Sequence, residues 1–166
     1  KNKMAQLHGL QKQLFDTAWR LADRYEFPDQ YRLTEKQIEE YNVALIETNL
    51  IKKYNSLNSM RSVFYAYPAF WYQIGNTANN IYRDPKYAEN RLLQSEYRKY
   101  ALECFDKYEK LNNFNLLRHD VMTASWALEY IELLDLNHNN KPEEARKYIE
   151  IAEKYSLGTV NWDIMC

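Results

Sequence analysis

Residues Phe70–Asn80 read FWYQIGNTANN, and the glycine inside this run decides the fold. Trp71 and Tyr72 are followed by Ile74, Gly75 and Asn76, an apolar and aromatic pattern at helical spacing. Glycine in a helix interior costs about 1 kcal/mol against alanine, so its presence calls for a compensating contact. Close packing is the simplest one, because a missing side chain lets a second helix approach the backbone. The run therefore predicts a helix in the middle of a set of packed helical hairpins.

The surrounding sequence extends that reading in both directions. Before it, Pro68 disfavours a helix at Tyr67 and marks a fresh start or a kink. Residues 59–67 are a short helix or the arm of the next one. Upstream, Thr34 and Gln37 form a capping-box pattern. The helix they open carries Ile38, Tyr41, Ala44, Leu45, Thr48 and Ile51 on one side and ends near Asn55–Asn58. Leu7, Leu10, Leu14, Ala18, Leu21 and Tyr25 give an earlier stripe. After the opening run, Asp84–Pro85 signals a restart, and nothing breaks a helix from Lys86 to Leu111. Leu117, Val121, Ala124, Leu128, Ile131 and Leu134 form a further stripe. Pro142 opens the last helix, with Ala145, Tyr148, Ile149 and Ala152 facing inward and Gly158 at its end. The expectation is an all-α fold of about six helices, without strands. It is a single domain over 1–166, with hairpins near 6–55, 68–111 and 116–156 and a tail at 157–166.

Composition agrees with helix. Apolar residues make up 46% and charged ones 27%, while only 3 Gly and 4 Pro occur. The 22 Lys and Arg nearly balance 23 Asp and Glu, without the basic excess that displaces counterions from phosphates, so nucleic acid is not expected as a partner. No apolar run has the length of a membrane span. A cytoplasmic location is expected, although the chain starts at Lys1 and leaves room for an upstream leader or anchor. Fifteen tyrosines stand out, a residue that serves both helix packing and binding surfaces.

Trp71-Tyr72-x-Ile74-Gly75-Asn76 resembles the first helix of a tetratricopeptide repeat, and Glu144-Ala145-x-x-x-Ile149-x-x-Ala152 resembles its second. Ala101, Phe105 and Tyr108 match the second helix more loosely. The resemblance covers about residues 68–156 and implies stacked hairpins with a grooved, partner-binding face. In chaperone-binding members a Lys and an Asn of this helix grip a partner's terminal carboxylate; here Asn76 matches the Asn and Tyr72 stands in the Lys place. The gap between Gly75 and Ala101 exceeds the family's spacing. Either 84–95 is an insertion, or Gly75 packs on a residue nearer Leu92.

Catalytic patterns are sparse. His8, His119 and His138 belong to no HExxH or Glu-x-x-His motif, and Cys104 and Cys166 share no short spacing. Asp135, Asn137 and Asn139 alternate like the start of a calcium loop. Asn140 and Arg146 stand where glycine and glutamate are needed, so no metal is expected. No cofactor is expected either. The reading is a non-catalytic interaction module that binds a peptide or protein through Tyr72, Asn76, Asn79 and Asn80, which recur at steps of three and four. Two alternatives stay open. One is an α-helical enzyme or small-ligand bundle with a tyrosine-lined pocket near Tyr65, Tyr67 and Tyr72. The other is a structural subunit of a helical homo-oligomer.

Overall fold

Thr34 and Gln37 close the capping box read from the sequence: Thr34 N–H donates to Gln37 Oε1 at 2.8 Å, and Gln37 N–H to Thr34 Oγ1 at 3.2 Å. In this computed structural model the described residues are 33–113, 121–134 and 142–156, together with separate helical positions between Gln6 and Arg24. From residue 33 onward the described residues form six α-helices and no strand. They are α1 (Glu35–Ile46), α2 (Leu50–Ser59), α3 (Pro68–Arg83), α4 (Arg91–Asn113), α5 (Val121–Leu134) and α6 (Pro142–Ser156). A 3-10 turn, Pro85–Tyr87, precedes α4. The fold is all-α. The chain divides into two compact units, 1–39 and 40–166, with the boundary inside α1.

Two helix boundaries correct the sequence reading, and both fall on asparagine. The single helix expected from Thr34 to about Asn55 is broken at Glu47–Asn49. Asn49 leaves helical geometry and its side chain accepts the Lys52 N–H at 3.0 Å, capping α2. Glu47 Oε1 in turn accepts the Asn49 N–H at 2.8 Å. The helix expected from Lys86 starts instead at Arg91. Asp84 caps only the 3-10 turn, and Asn90 Oδ1 accepts the Leu93 N–H at 3.1 Å to open α4. In each case a short amide side chain offers the backbone a local partner that competes with helix continuation. Residues 60–67 form hydrogen-bonded turns. Pro68 takes the first position of α3, where its missing N–H costs nothing.

Helix α3 is the centre of the second unit. Phe70, Trp71, Ile74, Gly75, Thr77, Ala78, Asn79 and Ile81 are all buried. It packs on α2, α4 and α5, and α5 packs on α6. Against α4 the register is clear. Gln94 Nε2 donates to the Tyr82 carbonyl at 3.2 Å, the Gly75 backbone lies against Cys104 and Phe105, and the Tyr72 ring meets that of Tyr108 at 5.9 Å. Rising numbers on one helix meet falling numbers on the other, so this pair runs antiparallel. A Cβ built on Gly75 would lie 2.6 Å from two Phe105 ring atoms and 3.1 Å from Cys104 Cβ. The glycine is thus explained by close approach, as the sequence suggested. Its partner is neither Ala101 nor a residue near Leu92.

The face of α5 is a further correction. Of the stripe Leu117, Val121, Ala124, Leu128, Ile131 and Leu134 expected inside, the side chains of Leu117 and Val121 lie outside the described residues, Ala124 is buried as expected, and Leu128, Ile131 and Leu134 are only half-buried. Thr123, Trp126, Ala127, Tyr130 and Leu133 complete the buried face. The aromatic residues choose the face. Trp126 and Tyr130 both pack on Tyr148 of α6, at 5.6 and 5.1 Å between centroids. Thr123 Oγ1 meets the Tyr108 hydroxyl at 3.0 Å and accepts from Asn112 at 3.3 Å. On α6, Ala145, Tyr148 and Ala152 are buried as expected, but Ile149 is exposed. The expected calcium-like alternation, His8, His119, His138, Cys166, Gly158 and the 157–166 tail lie outside the described residues. So do most positions of the first hairpin's leading helix. Its described leucines, Leu10, Leu14 and Leu21, are exposed.

Candidate functional site

The four residues singled out on α3 converge. Steps of three and four put Tyr72, Asn76, Asn79 and Asn80 on the flank of α3 that meets α5, and three of them close on a single carboxylate, that of Glu129. Tyr72 donates to Glu129 Oε1 at 3.1 Å, Asn76 Nδ2 to the same oxygen at 2.8 Å, and Asn79 Nδ2 to Oε2 at 3.0 Å. Asn80 Nδ2 donates to Asn76 Oδ1 at 3.0 Å and orients that amide. Tyr72, Asn76 and Glu129 are half-buried, Asn79 is buried and Asn80 is exposed. The flank read from the sequence as a partner-binding surface therefore holds a carboxylate of the chain itself, with Tyr72, Asn76 and Asn79 turned inward to Glu129.

Chemically this is an anion held by neutral donors. Each bond is charge-assisted and stronger than one between neutral groups. The Tyr72 phenol is held well above its ordinary value by burial first, then by the charge of Glu129 and its hydrogen bond to it; a bond with Ser125 pulls the other way. The phenol therefore stays protonated and keeps donating. Sequence reasoning missed Glu129, yet a signal was there. Glu129 and Glu132 are the only charged residues in α5, VMTASWALEYIELL, and an acid in so apolar a helix needs a partner.

Beside this clamp lies a cleft of about 560 Å³ between α3, α4 and α5, lined by Asn79, Tyr82, Arg83, Gln94, Glu132 and Leu133. Arg83 pairs with Glu132 across its rim. Asn79 joins the clamp to the cleft, and its Oδ1, though buried, has no hydrogen-bond partner.

The tyrosine pocket expected near Tyr65, Tyr67 and Tyr72 does not assemble from those three. Tyr65 and Tyr67 are exposed. The Tyr65 ring stacks edge-on with Trp71 at 6.3 Å beneath the Lys107 ammonium, while Tyr72 faces Phe105 and Glu129. A different cleft, about 340 Å³, is lined by Tyr54, Tyr97 and Tyr100 with Asn55, Asn58, Arg61 and Glu96. Its three rings touch one another at 5.0 to 5.8 Å and leave no gap for a ring or cation between them. Arg61 closes one side of this cleft, donating to the Tyr54 hydroxyl at 3.4 Å and to exposed Glu103 Oε1 at 3.1 Å, with its guanidinium over the Trp71 ring at 5.5 Å.

Groups with shifted acidity are moved away from reactivity at neutral pH. Burial pushes the Cys104 thiol up to about 12, against a lesser downward pull from Arg61. Tyr41, Tyr54, Tyr97, Tyr130 and Tyr148 are all raised, with desolvation the first cause in each. Among the described residues no group of three or more His, Cys, Asp or Glu could hold a metal ion, and no helix is long and apolar enough to cross a membrane. No protein-family model, curated protein or solved structure matches this chain.

Proposed function

We propose that this chain is a non-catalytic helical interaction module, with α3–α6 forming two tetratricopeptide-like hairpins and the Asn76–Asn80 edge of α3 meeting a peptide or protein partner. The observation that carries this reading is the double role of α3. It approaches α4 through the missing side chain of Gly75, and it holds α5 through the Glu129 carboxylate. One helix thereby joins two successive helix pairs, which is what a stacked array requires. Asn80 lies at the solvent edge of the same polar row, where an amide can donate to and accept from a peptide backbone. The raised thiol and phenols add support, since a catalytic nucleophile or base needs the opposite displacement.

A displayed random-peptide library, followed by titration of the selected peptides, tests this reading. Peptides selected on the wild type should lose about tenfold or more in affinity for Asn80→Arg, a change at an exposed position. Equal affinity for both proteins would place docking elsewhere. A second reading, a helical subunit that buries its apolar surface in an oligomer, draws on exposed Leu10, Leu14 and Leu21. A monomeric mass by light scattering would end it.

A further inference from the structure

We propose that the cleft between α3, α4 and α5 binds an alkylammonium group, carried by a free amine or by a lysine side chain, which donates to Asn79 Oδ1. The inference holds whether or not residues 68–156 form a tetratricopeptide-like array. It starts from an acceptor without a donor. Asn79 is 2% exposed and stands in the cleft wall, and its Oδ1 receives no hydrogen bond. A buried carbonyl left unsatisfied costs free energy that a bound donor would recover.

The other end of the same amide says what kind of donor fits. Asn79 Nδ2 donates to Glu129 Oε2 at 3.0 Å. Donation to a carboxylate polarises the amide and makes its oxygen a better acceptor. The donors on Glu129, namely Tyr72, Asn76 and Asn79, are all neutral, so its negative charge is solvated but not cancelled by them. Glu132 adds a second carboxylate at the rim. A cationic donor satisfies the acceptor and answers the Glu129 charge, Glu132 being paired with Arg83 already, whereas a neutral hydroxyl satisfies only the acceptor.

The cations already present do not fill this role. Arg98 donates to the Leu133 carbonyl, and Arg83 pairs with Glu132. Both partners of the Arg83–Glu132 pair are more than half exposed, so the pair contributes little and can open to admit a ligand. Tyr82 and Leu133 offer apolar wall to an alkyl stem. A cleft of about 560 Å³ falls in the range of small-molecule sites.

The test is titration of the whole chain, followed by NMR at the Asn79 side-chain amide signals. The probes are n-pentylammonium chloride, a short neutral-capped peptide with one central lysine, n-pentanol, and the same peptide with that lysine Nε-acetylated. At least one ammonium probe should shift the Asn79 signals saturably, and its uncharged counterpart should bind about tenfold more weakly or not at all. Tighter binding of the peptide assigns the site to a lysine side chain; tighter binding of pentylammonium assigns it to a free amine. Asn79→Leu, followed instead through the Gln94 side-chain amide signals, should abolish binding, but it also removes a bond to Glu129. Gln94→Trp fills the cleft from a half-buried rim position without touching that bond, and it should abolish binding as well. No saturable shift with either ammonium probe would overturn the proposal. So would equal binding of pentanol, or binding that survives Gln94→Trp.

Discussion

Helix α3 meets α4 and α5 by opposite means. Toward α4 it presents an absence: Gly75 has no side chain, and the buried Phe105 ring occupies the space. Toward α5 it presents donors, and the Glu129 carboxylate is drawn between Tyr72, Asn76 and Asn79. The apolar seam depends on shape, so volume changes should damage it. The polar seam depends on pairing, so removing the anion should damage it while swaps that keep an acceptor are tolerated. A central helix can thus be fixed on two sides by forces that fail under different insults.

Alkali should act on both seams and give the largest effect. Cys104 sits in the apolar seam and Tyr72 in the polar one, and both hold their protons more tightly in the folded chain because burial disfavours the anion. The ordinary values are 9.0 for the thiol and 10.0 for the phenol. Above pH 9 the folded state therefore binds more protons than the unfolded one. Stability from these groups is complete below that pH and falls as pH rises toward about 12. Urea midpoints measured across this range should drop steadily. Cys104→Ala should delay the onset of the fall, and a midpoint that stays flat to pH 11 would contradict the burial assigned to these groups.

Next in size is the apolar seam alone. Phe105→Ala removes a fully buried ring and should cost about 3–5 kcal/mol in denaturant unfolding. Gly75→Ala should cost about 1–3 kcal/mol through overpacking, less up to ~1 kcal/mol regained in helix propensity. The two changes should not add. With the Phe105 ring gone, Gly75→Ala should become neutral or stabilising, and an additive cycle would mean that the glycine serves something other than that contact.

For the polar seam, Glu129→Ala strands the Asn79 and Asn76 amides and should cost about 1–3 kcal/mol. Glu129→Gln keeps an acceptor and should cost less. Equal losses would show that charge, rather than acceptance, holds α5. The smallest effect belongs to the rim: Arg83→Gln breaks an exposed pair and should change stability by about 0–1 kcal/mol.

Much of the fold was legible in local chemistry. The capping box at Thr34, the proline starts at Pro68 and Pro142, and the burial of Gly75 each follow from constraints within a few residues. The breaks at Asn49 and Asn90 were equally local, but an asparagine fits a helix surface as readily as a cap until its side chain chooses the backbone. The buried face of α5 was not legible, because that helix is apolar on most sides and periodicity cannot select among them. Its orientation is set by Tyr148 and Tyr108, which lie on other helices.

The candidate site divides the same way. Sequence by itself determined that Tyr72, Asn76, Asn79 and Asn80 share one flank, since helical spacing alone puts them there. It also determined that Gly75 invites a neighbour. Only the tertiary structure decided that the neighbour is Phe105 and that the flank closes on Glu129, some fifty residues away. Helix geometry is fixed by bonds between residues four apart, whereas the pairing of one helix with another depends on which of several similar surfaces buries the most area with every polar group satisfied.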